Sequence, residues 1–258
     1  MAKTQAVNHL FSMTNEQLKN FLDKIKDLVS ISDEVLLKVD NHNILMYSLV
    51  GEKKNVNAFK SFIVKTEDLF TFKEELVKQM KYIIPNGKKF DSNIRNFLDY
   101  NEILNCTFYM NDEEYADNLL IKNKFLRLNQ IGGDPRGATL DIDIEQVKDA
   151  IDKDKSDFKF SLPKDVFEKI KKMSKIELEN DILYLNIKDH ILTIAENAWE
   201  LTVCDTDQKD LSITFPKKYF NSLQIPNGTT EVEVFVFDSF LLVDNENTSL
   251  LVALELSI

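Results

Sequence analysis

Histidine, cysteine and paired carboxylates are the side chains from which hydrolytic, redox or metal chemistry would be built, and in this chain their spacing assembles none of it. The 258 residues include three histidines, His9, His42 and His190, and none stands at metal-ligand spacing from a cysteine or a carboxylate. The acidic pairs Glu113-Glu114 and Asp141 with Asp143 have the chemistry to bind a cation or share a proton. They lie among other charges with no base beside them, so solvated faces explain them more simply. Cys106 and Cys204 are too few for a disulfide framework and fall in apolar strand patterns, which makes free buried thiols the expectation. Gly132-Gly133, within Ile131-Gly132-Gly133-Asp134-Pro135-Arg136-Gly137, invites a phosphate-loop reading, but no Lys-Ser or Lys-Thr follows and a turn accounts for it. No nucleophile elbow or dinucleotide fingerprint occurs. The sequence assigns no catalytic residue, no metal ligand and no cofactor; an enzyme would need a site gathered from dispersed carboxylates.

Cation chemistry remains. After Pro163, about 100° per residue puts Val166, Phe167, Ile170 and Met173 on one helix face and Lys164, Lys171 and Lys175 nearly opposite. Lys169 and Lys172 flank that stripe, and Glu168 interrupts it. After Pro216 a shorter helix turns Tyr219, Phe220 and Leu223 inward, with Lys217 opposite and Lys218 at the edge. The formal charge of −11 makes general adhesion to nucleic acid a poor expectation, so any phosphate-binding surface must be a local basic patch. Ordinary solvated lysine is the competing reading for each residue.

These helices belong to a repeat. Ser161-Leu162-Pro163-Lys164-Asp165-Val166-Phe167 returns as Thr214-Phe215-Pro216-Lys217-Lys218-Tyr219-Phe220. Each copy reads as an alternating strand, a proline at the first helical turn where its missing N–H costs nothing, a helix, and about three strands. The offset of roughly fifty residues is one at which repeated supersecondary units are expected. The first half shows a looser version: a helix from Leu18 to Val29 capped by Thr14 or Asn15, then strands at Val35 to Val39, Ile44 to Leu49 and Phe59 to Val64. Residues 66 to 84 read either way, with Lys81 to Ile84 extended. A short helix at Asp91 to Tyr100 precedes strands at Ile103 to Met110, Asn118 to Lys122 and Phe125 to Gln130. The basic face is poorer here, because Asp23 and Asp27 lie opposite the apolar face of the first helix with Lys19, Lys24 and Lys26 on its flanks. The second helix offers Arg95, preceded by Lys88 and Lys89. The expected layout is a domain over 1–134, an acidic connector over 135–157 and a domain over 158–258. No apolar run approaches the roughly 20 residues needed to span a bilayer, and Met1-Ala2-Lys3-Thr4-Gln5 lacks the apolar core of a secretory signal, so a cytoplasmic location is expected.

The duplicated Pro163/Pro216 unit, the Leu18 to Val29 helix with its strands, and the closing Phe240 to Val243 with Leu250 to Glu255 together resemble the sliding clamps of DNA replication, particularly the short two-domain type of T-even-like phages. The resemblance implies an α+β clamp fold of two pseudo-symmetric domains, each with two helices packed on antiparallel sheets, the helices lining a ring. It implies a non-enzymatic processivity factor that encircles duplex DNA without reading sequence, tethers a DNA polymerase, is placed by a clamp-loader ATPase, closes as a homotrimer through sheet edges, and works in the host cytoplasm. DNA contact would fall first on Lys164, Lys171, Lys175 and Lys217, then on Lys169, Lys172, Lys218, Lys88, Lys89 and Arg95. Partner peptides would bind near Leu140 to Ile151 and Leu250 to Ile258. A viral ring-forming structural protein and an enzyme with a dispersed carboxylate site stay open beside this reading.

Overall fold

The computed structural model describes residues 8–52, 55–111, 114–135, 146, 149, 151–175, 181–223, 229–245 and 248–256. It divides into unit 1, Met1–Asn55 with Lys60–Asp143, and unit 2, Val56–Phe59 with Ile144–Ile258.

In unit 1, β1 (His9–Met13) runs into α1 (Asn15–Leu28) through Thr14, whose hydroxyl accepts from the N–H of Gln17 while the Gln17 side chain accepts from the N–H of Thr14. This reciprocal cap satisfies two donors that the first helical turn leaves open. Leu18, Phe21, Leu22, Ile25 and Leu28 recur at helical spacing and are all buried. Then follow β2 (Val35–Val39), β3 (Asn43–Glu52), β4 (Asn55–Lys65), the short β5 (Thr71–Phe72), β6 (Met80–Ile84), α2 (Gly87–Arg95), β7 (Leu104–Met110), β8 (Tyr115–Lys122) and β9 (Arg127–Ile131). The strands lie in the order β4-β3-β2-β6-β8-β7-β1-β5, with β9 also on β8. The pair β6 and β8 is parallel, while β2–β3, β1–β7, β7–β8 and β8–β9 are antiparallel. An aromatic cluster of Phe11, Phe21, Phe70 and Phe108 fills the core beneath α1, with centroids 4.7 to 6.1 Å apart. Burying each such ring contributes about 1.5–3 kcal/mol.

The ambiguous stretch resolves as a single 3-10 turn at Thr66–Asp68 and two strands rather than a helix. Leu76 supplies the reason for its shape: both its N–H and its carbonyl bond the Asn41 side chain, at 2.7 and 2.9 Å, which pins the segment from outside. The second helix starts four residues earlier than its spacing suggests, capped by Asn86 on the N–H of Lys89, and Asn96–Tyr100 continues as a 3-10 turn. Gly87 permits that start, because a Cβ there would lie 2.2 Å from Val29 Cγ1 and 3.2 Å from the Asp33 carbonyl.

Unit 2 contains β10 (Phe158–Pro163), α3 (Lys164–Met173), β11 (Ile182–Lys188), β12 (Ile191–Glu196), β13 (Trp199–Asp205), β14 (Leu211–Pro216), α4 (Lys217–Ser222), β15 (Glu231–Val236), β16 (Phe240–Asn245), β17 (Thr248–Ala253) and β18 (Glu255–Leu256). One run of strands is β10-β15-β16-β17; a separate five-stranded sheet is ordered β13-β12-β11-β14-β18. Both repeat prolines sit one residue earlier than expected, as extended N-cap residues that end a strand, with Pro163 opposite Glu231 and Pro216 opposite Ile182. Phe167 and Phe220 meet at 5.3 Å, and Ser174 donates to Asn221 at 3.0 Å, locking α3 to α4. Asp189 and His190 both take positive φ and close the β11–β12 hairpin, which explains the turn setting of His190.

Among the described residues the element order contains strand-helix-strand-strand-strand four times: β1-α1-β2-β3-β4, β6-α2-β7-β8-β9, β10-α3-β11-β12-β13 and β14-α4-β15-β16-β17. The fold is α+β, with helices packed on sheets in each unit. The proposed connector at 135–157 and the Leu140 to Ile151 stretch fall largely outside the described residues, as do Glu113 and the Asp141/Asp143 pair; Glu114 is described.

Candidate nucleic-acid interface

The α3 helix buries Phe167 and Ile170 and half-buries Val166 and Met173, so its apolar face is the one the spacing indicates. Lys169, Lys172 and Lys175 are exposed and Lys164 is half-buried. Lys169 Nζ lies 3.4 Å from Asp165 Oδ2, an exposed pair one helical turn apart that is worth little in water. The ammonium groups of Lys164, Lys172 and Lys175 have no ion-pair or hydrogen-bond partner among the described residues.

Lys171 departs from the expected stripe. Its Nζ donates to the Leu223 carbonyl at 3.2 Å and lies 5.0 Å from the centroid of Phe167, so it ties α3 to the end of α4. Lys217 departs further. The helical wheel places it opposite the apolar face; the structure buries it, with Nζ 3.1 Å from Glu196 Oε1 and side-chain exposures of 9% and 0%. Trp199 Nε1–H donates to the other oxygen of Glu196 at 3.1 Å. Two physical causes act. Lys217 opens a helix of only six residues, where the β14 junction sets side-chain direction as much as the helix does, and Glu196 is a buried carboxylate that requires a cation. Lys218 is exposed, its ammonium 4.7 Å from the Tyr219 ring.

In unit 1 the candidate cations are largely neutralised. Lys88 lies 3.2 Å from Asp33. Arg95 grips Asp91 through Nε and Nη2 at 3.1 and 2.6 Å and reaches Asp23 on α1 at 3.7 Å. The Asp91 hydrogen bonds, first among the causes, hold the guanidinium above its ordinary pKa. Lys89 alone of these three is exposed without a side-chain partner among the described residues. Asp27, expected on the open face of α1, is instead buried against Lys60 of β4 at 2.6 Å. Its partner lies 33 positions away in a strand, so no helix-local pattern signals it. Lys24 stands half-buried 4.8 Å from the Phe62 ring, and burial pulls its pKa down.

The other candidates have structural explanations. Gly133 lies where a Cβ would come within 2.6 Å of Ile83 Cγ2, and its N–H donates to the Ile83 carbonyl at 2.9 Å, so close approach to β6 accounts for it. Burial pushes the Cys106 thiol pKa far up, and Cys204 is half-buried on β13. Among the described residues no group of three His, Cys, Asp or Glu side chains comes together to hold a metal ion, and no helix is long and apolar enough to cross a membrane.

No protein-family model matches the chain, and no curated protein matches it in sequence. Solved structures do. The β subunit of DNA polymerase III from Borrelia burgdorferi aligns over 95% of this chain and 64% of its own length, with a TM-score of 0.64 and 16% identity. The proliferating cell nuclear antigen of Entamoeba histolytica aligns over 96% of this chain and 98% of its own, with a TM-score of 0.59 and 15% identity. This chain has the sliding-clamp fold. The Thermococcus kodakaraensis homologue of that antigen is covered in full, at a TM-score of 0.60 and 14% identity. The chain spans about two thirds of the bacterial clamps, 64% for the Borrelia protein and 66% for the Helicobacter pylori clamp bound to a DNA ligase peptide. At these identities the clamp likeness is one of fold.

Proposed function

We propose that this protein is a DNA sliding clamp: a non-enzymatic ring, closed as a homotrimer, that encircles duplex DNA and tethers a replicative polymerase. The observation that carries the reading is the match to clamps of two different lengths over nearly the whole chain, including one covered in full. A tether needs no covalent chemistry; it raises the local concentration of polymerase at the primer end. Lys164, Lys169, Lys172, Lys175 and Lys218 would meet phosphates without reading bases, a salt-sensitive attraction compatible with sliding. Lys89 would add to it from unit 1, whereas Lys88 and Arg95 would first have to leave their carboxylates. Lys171 and Lys217 would act on the shape of the helix pair rather than on DNA. A cytoplasmic setting in a phage-infected host, a clamp-loader ATPase and a T-even-like lineage complete the proposal.

The test is retention on nicked circular duplex by gel filtration after loading with a cognate loader. The protein should travel with the circle and fall off when the circle is linearised. Replacing Lys164, Lys172 and Lys175 together by Glu should weaken direct DNA binding and flatten its salt dependence, each lost phosphate contact removing about 0.9 from the slope of log K against log salt. Equal retention on circular and linear DNA would remove the ring reading.

A further inference from the structure

The two units treat equivalent strands differently. Strands β1 and β10 each enter a helix through an extended N-cap residue, Thr14 and Pro163. Aligned on those caps, Phe11-Ser12-Met13 matches Phe160-Ser161-Leu162. Phe11, Met13, Phe160 and Leu162 are buried, and each serine lies on the other face of its strand. The strands β4 and β13 also end alike: the N–H of Thr66 donates to the His42 carbonyl at 2.9 Å, and the N–H of Thr206 donates to the His190 carbonyl at 2.9 Å.

From these matched points the chain takes different routes. In unit 1, residues 67–79 cross to β1 before β6 begins and lay β5 along its edge, with Thr71 opposite Ser12 and Phe72 opposite Phe11. In unit 2, residues 207–210 lead straight from Thr206 into β14 and pair with no strand. Strand β1 therefore carries a cover that its counterpart β10 does not receive from the corresponding connection.

The cover on β1 shows what the edge accepts. The N–H of Lys73 donates to the Leu10 carbonyl at 3.0 Å, and the Phe72 ring packs 5.3 Å from Phe11. Backbone groups of alternate residues point to the same side of an antiparallel strand, so Leu10 and Ser12 serve β5. Their counterparts on β10 are Lys159 and Ser161, both exposed. On the β15 side the N–H of Lys164 donates to the Thr230 carbonyl at 2.8 Å, which in this register turns the even-numbered residues of β10 toward β15. Among the described residues β10 pairs with β15 alone, so Lys159 presents its carbonyl and Ser161 its N–H on an open edge.

We propose that this edge of β10 receives an extended segment of another protein, antiparallel to Phe160-Ser161 and carrying a β-branched residue followed by an aromatic one. The Thr71-Phe72 pair of this same chain is its template. The incoming backbone bonds Lys159 and Ser161, and its aromatic ring lies against Phe160, which stands 6.3 Å from Phe158. The proposal rests on the two matched edges and not on the clamp reading.

The probe is a synthetic peptide of residues 69–75, Leu-Phe-Thr-Phe-Lys-Glu-Glu, added to the whole chain. Amide hydrogen exchange read by NMR should find Ser12 protected from the start, and Ser161 exchanging freely until the peptide slows it about tenfold or more. A peptide with Phe72→Ala should bind about tenfold more weakly. Ser161→Pro removes the outward N–H, a change that an edge strand tolerates, so peptide binding should be lost while circular dichroism shows the fold intact. Exchange at Ser161 that no concentration of peptide slows would overturn the proposal. So would deprotection of Ser12 in place of protection at Ser161, because the peptide would then be displacing β5. Self-association of the parent that Ser161→Pro abolishes would make the occupant a second copy and overturn the assignment to another protein.

Discussion

The lysines of this chain divide by what lies within reach of each ammonium. Lys172 and Lys175 are exposed with no ion-pair or hydrogen-bond partner among the described residues, whereas Lys217 and Lys60 end at buried carboxylates, 3.1 Å from Glu196 and 2.6 Å from Asp27. Removing one member of a buried pair leaves the other charge uncompensated, which typically costs about 3–5 kcal/mol, while replacing both by apolar groups of similar volume is often nearly neutral. Lys217→Met should therefore lower the urea midpoint strongly. Combining it with Glu196→Leu should recover part of the loss, less whatever the Trp199 indole N–H forfeits as a donor. If Lys217→Met unfolded no earlier than the parent and instead weakened DNA binding, Lys217 would be a phosphate contact after all. The corresponding charge change at Lys172 is expected to leave the midpoint within about 0.5 kcal/mol, as surface substitutions usually do.

At the scale of elements, the helices are fixed in pairs. In unit 1, Phe21 meets Phe90 at 6.0 Å, Arg95 bridges to Asp23, and Gly87 lets the start of α2 come against Val29. In unit 2, Phe167, Phe220, Ser174 and Lys171 do the same between α3 and α4. Each pair is over-determined by packing and by at least one polar bond that crosses between helices. Gly87→Ala tests the closer pair: a Cβ 2.2 Å from Val29 Cγ1 forces a shift, and overpacking of this kind costs about 1–3 kcal/mol. Thermal unfolding should show the loss, and Val29→Ala in the same chain should return part of it by vacating the space. An unchanged melting temperature in Gly87→Ala would mean that the helix start moves freely.

For the whole molecule the relevant quantity is charge. A chain of net −11 repels its own copies, so the proposed assembly should strengthen as salt rises from low to moderate, while the DNA binding proposed for the lysines should weaken over the same range. Sedimentation and DNA binding measured across one salt series should move in opposite directions. Parallel movement would indicate that ion pairs between copies outweigh the repulsion of their net charge.

Much of the architecture was legible in the residues. Alternation of apolar residues marked β10 and β14, helical spacing marked α1 and α3, and the two prolines marked the repeat, because period and backbone restriction are local properties of the chain. A third proline junction, Ile84-Pro85 before α2, was equally present but hidden by a glycine start and by the pinned segment around Leu76. The destinations of the charges were settled only in three dimensions. A helical wheel gives the direction of a Cβ, but a lysine stem reaches well beyond it and turns toward whatever carboxylate or carbonyl the tertiary fold supplies. Lys217 found Glu196 from a strand 21 residues earlier, Lys171 found the Leu223 carbonyl 52 residues later, and Asp27 found Lys60. The sequence determined which elements form and that their lysines were the available chemistry. The tertiary structure alone decided which of those lysines remain open to a phosphate, because a desolvated charge is committed by long-range packing that no local pattern encodes.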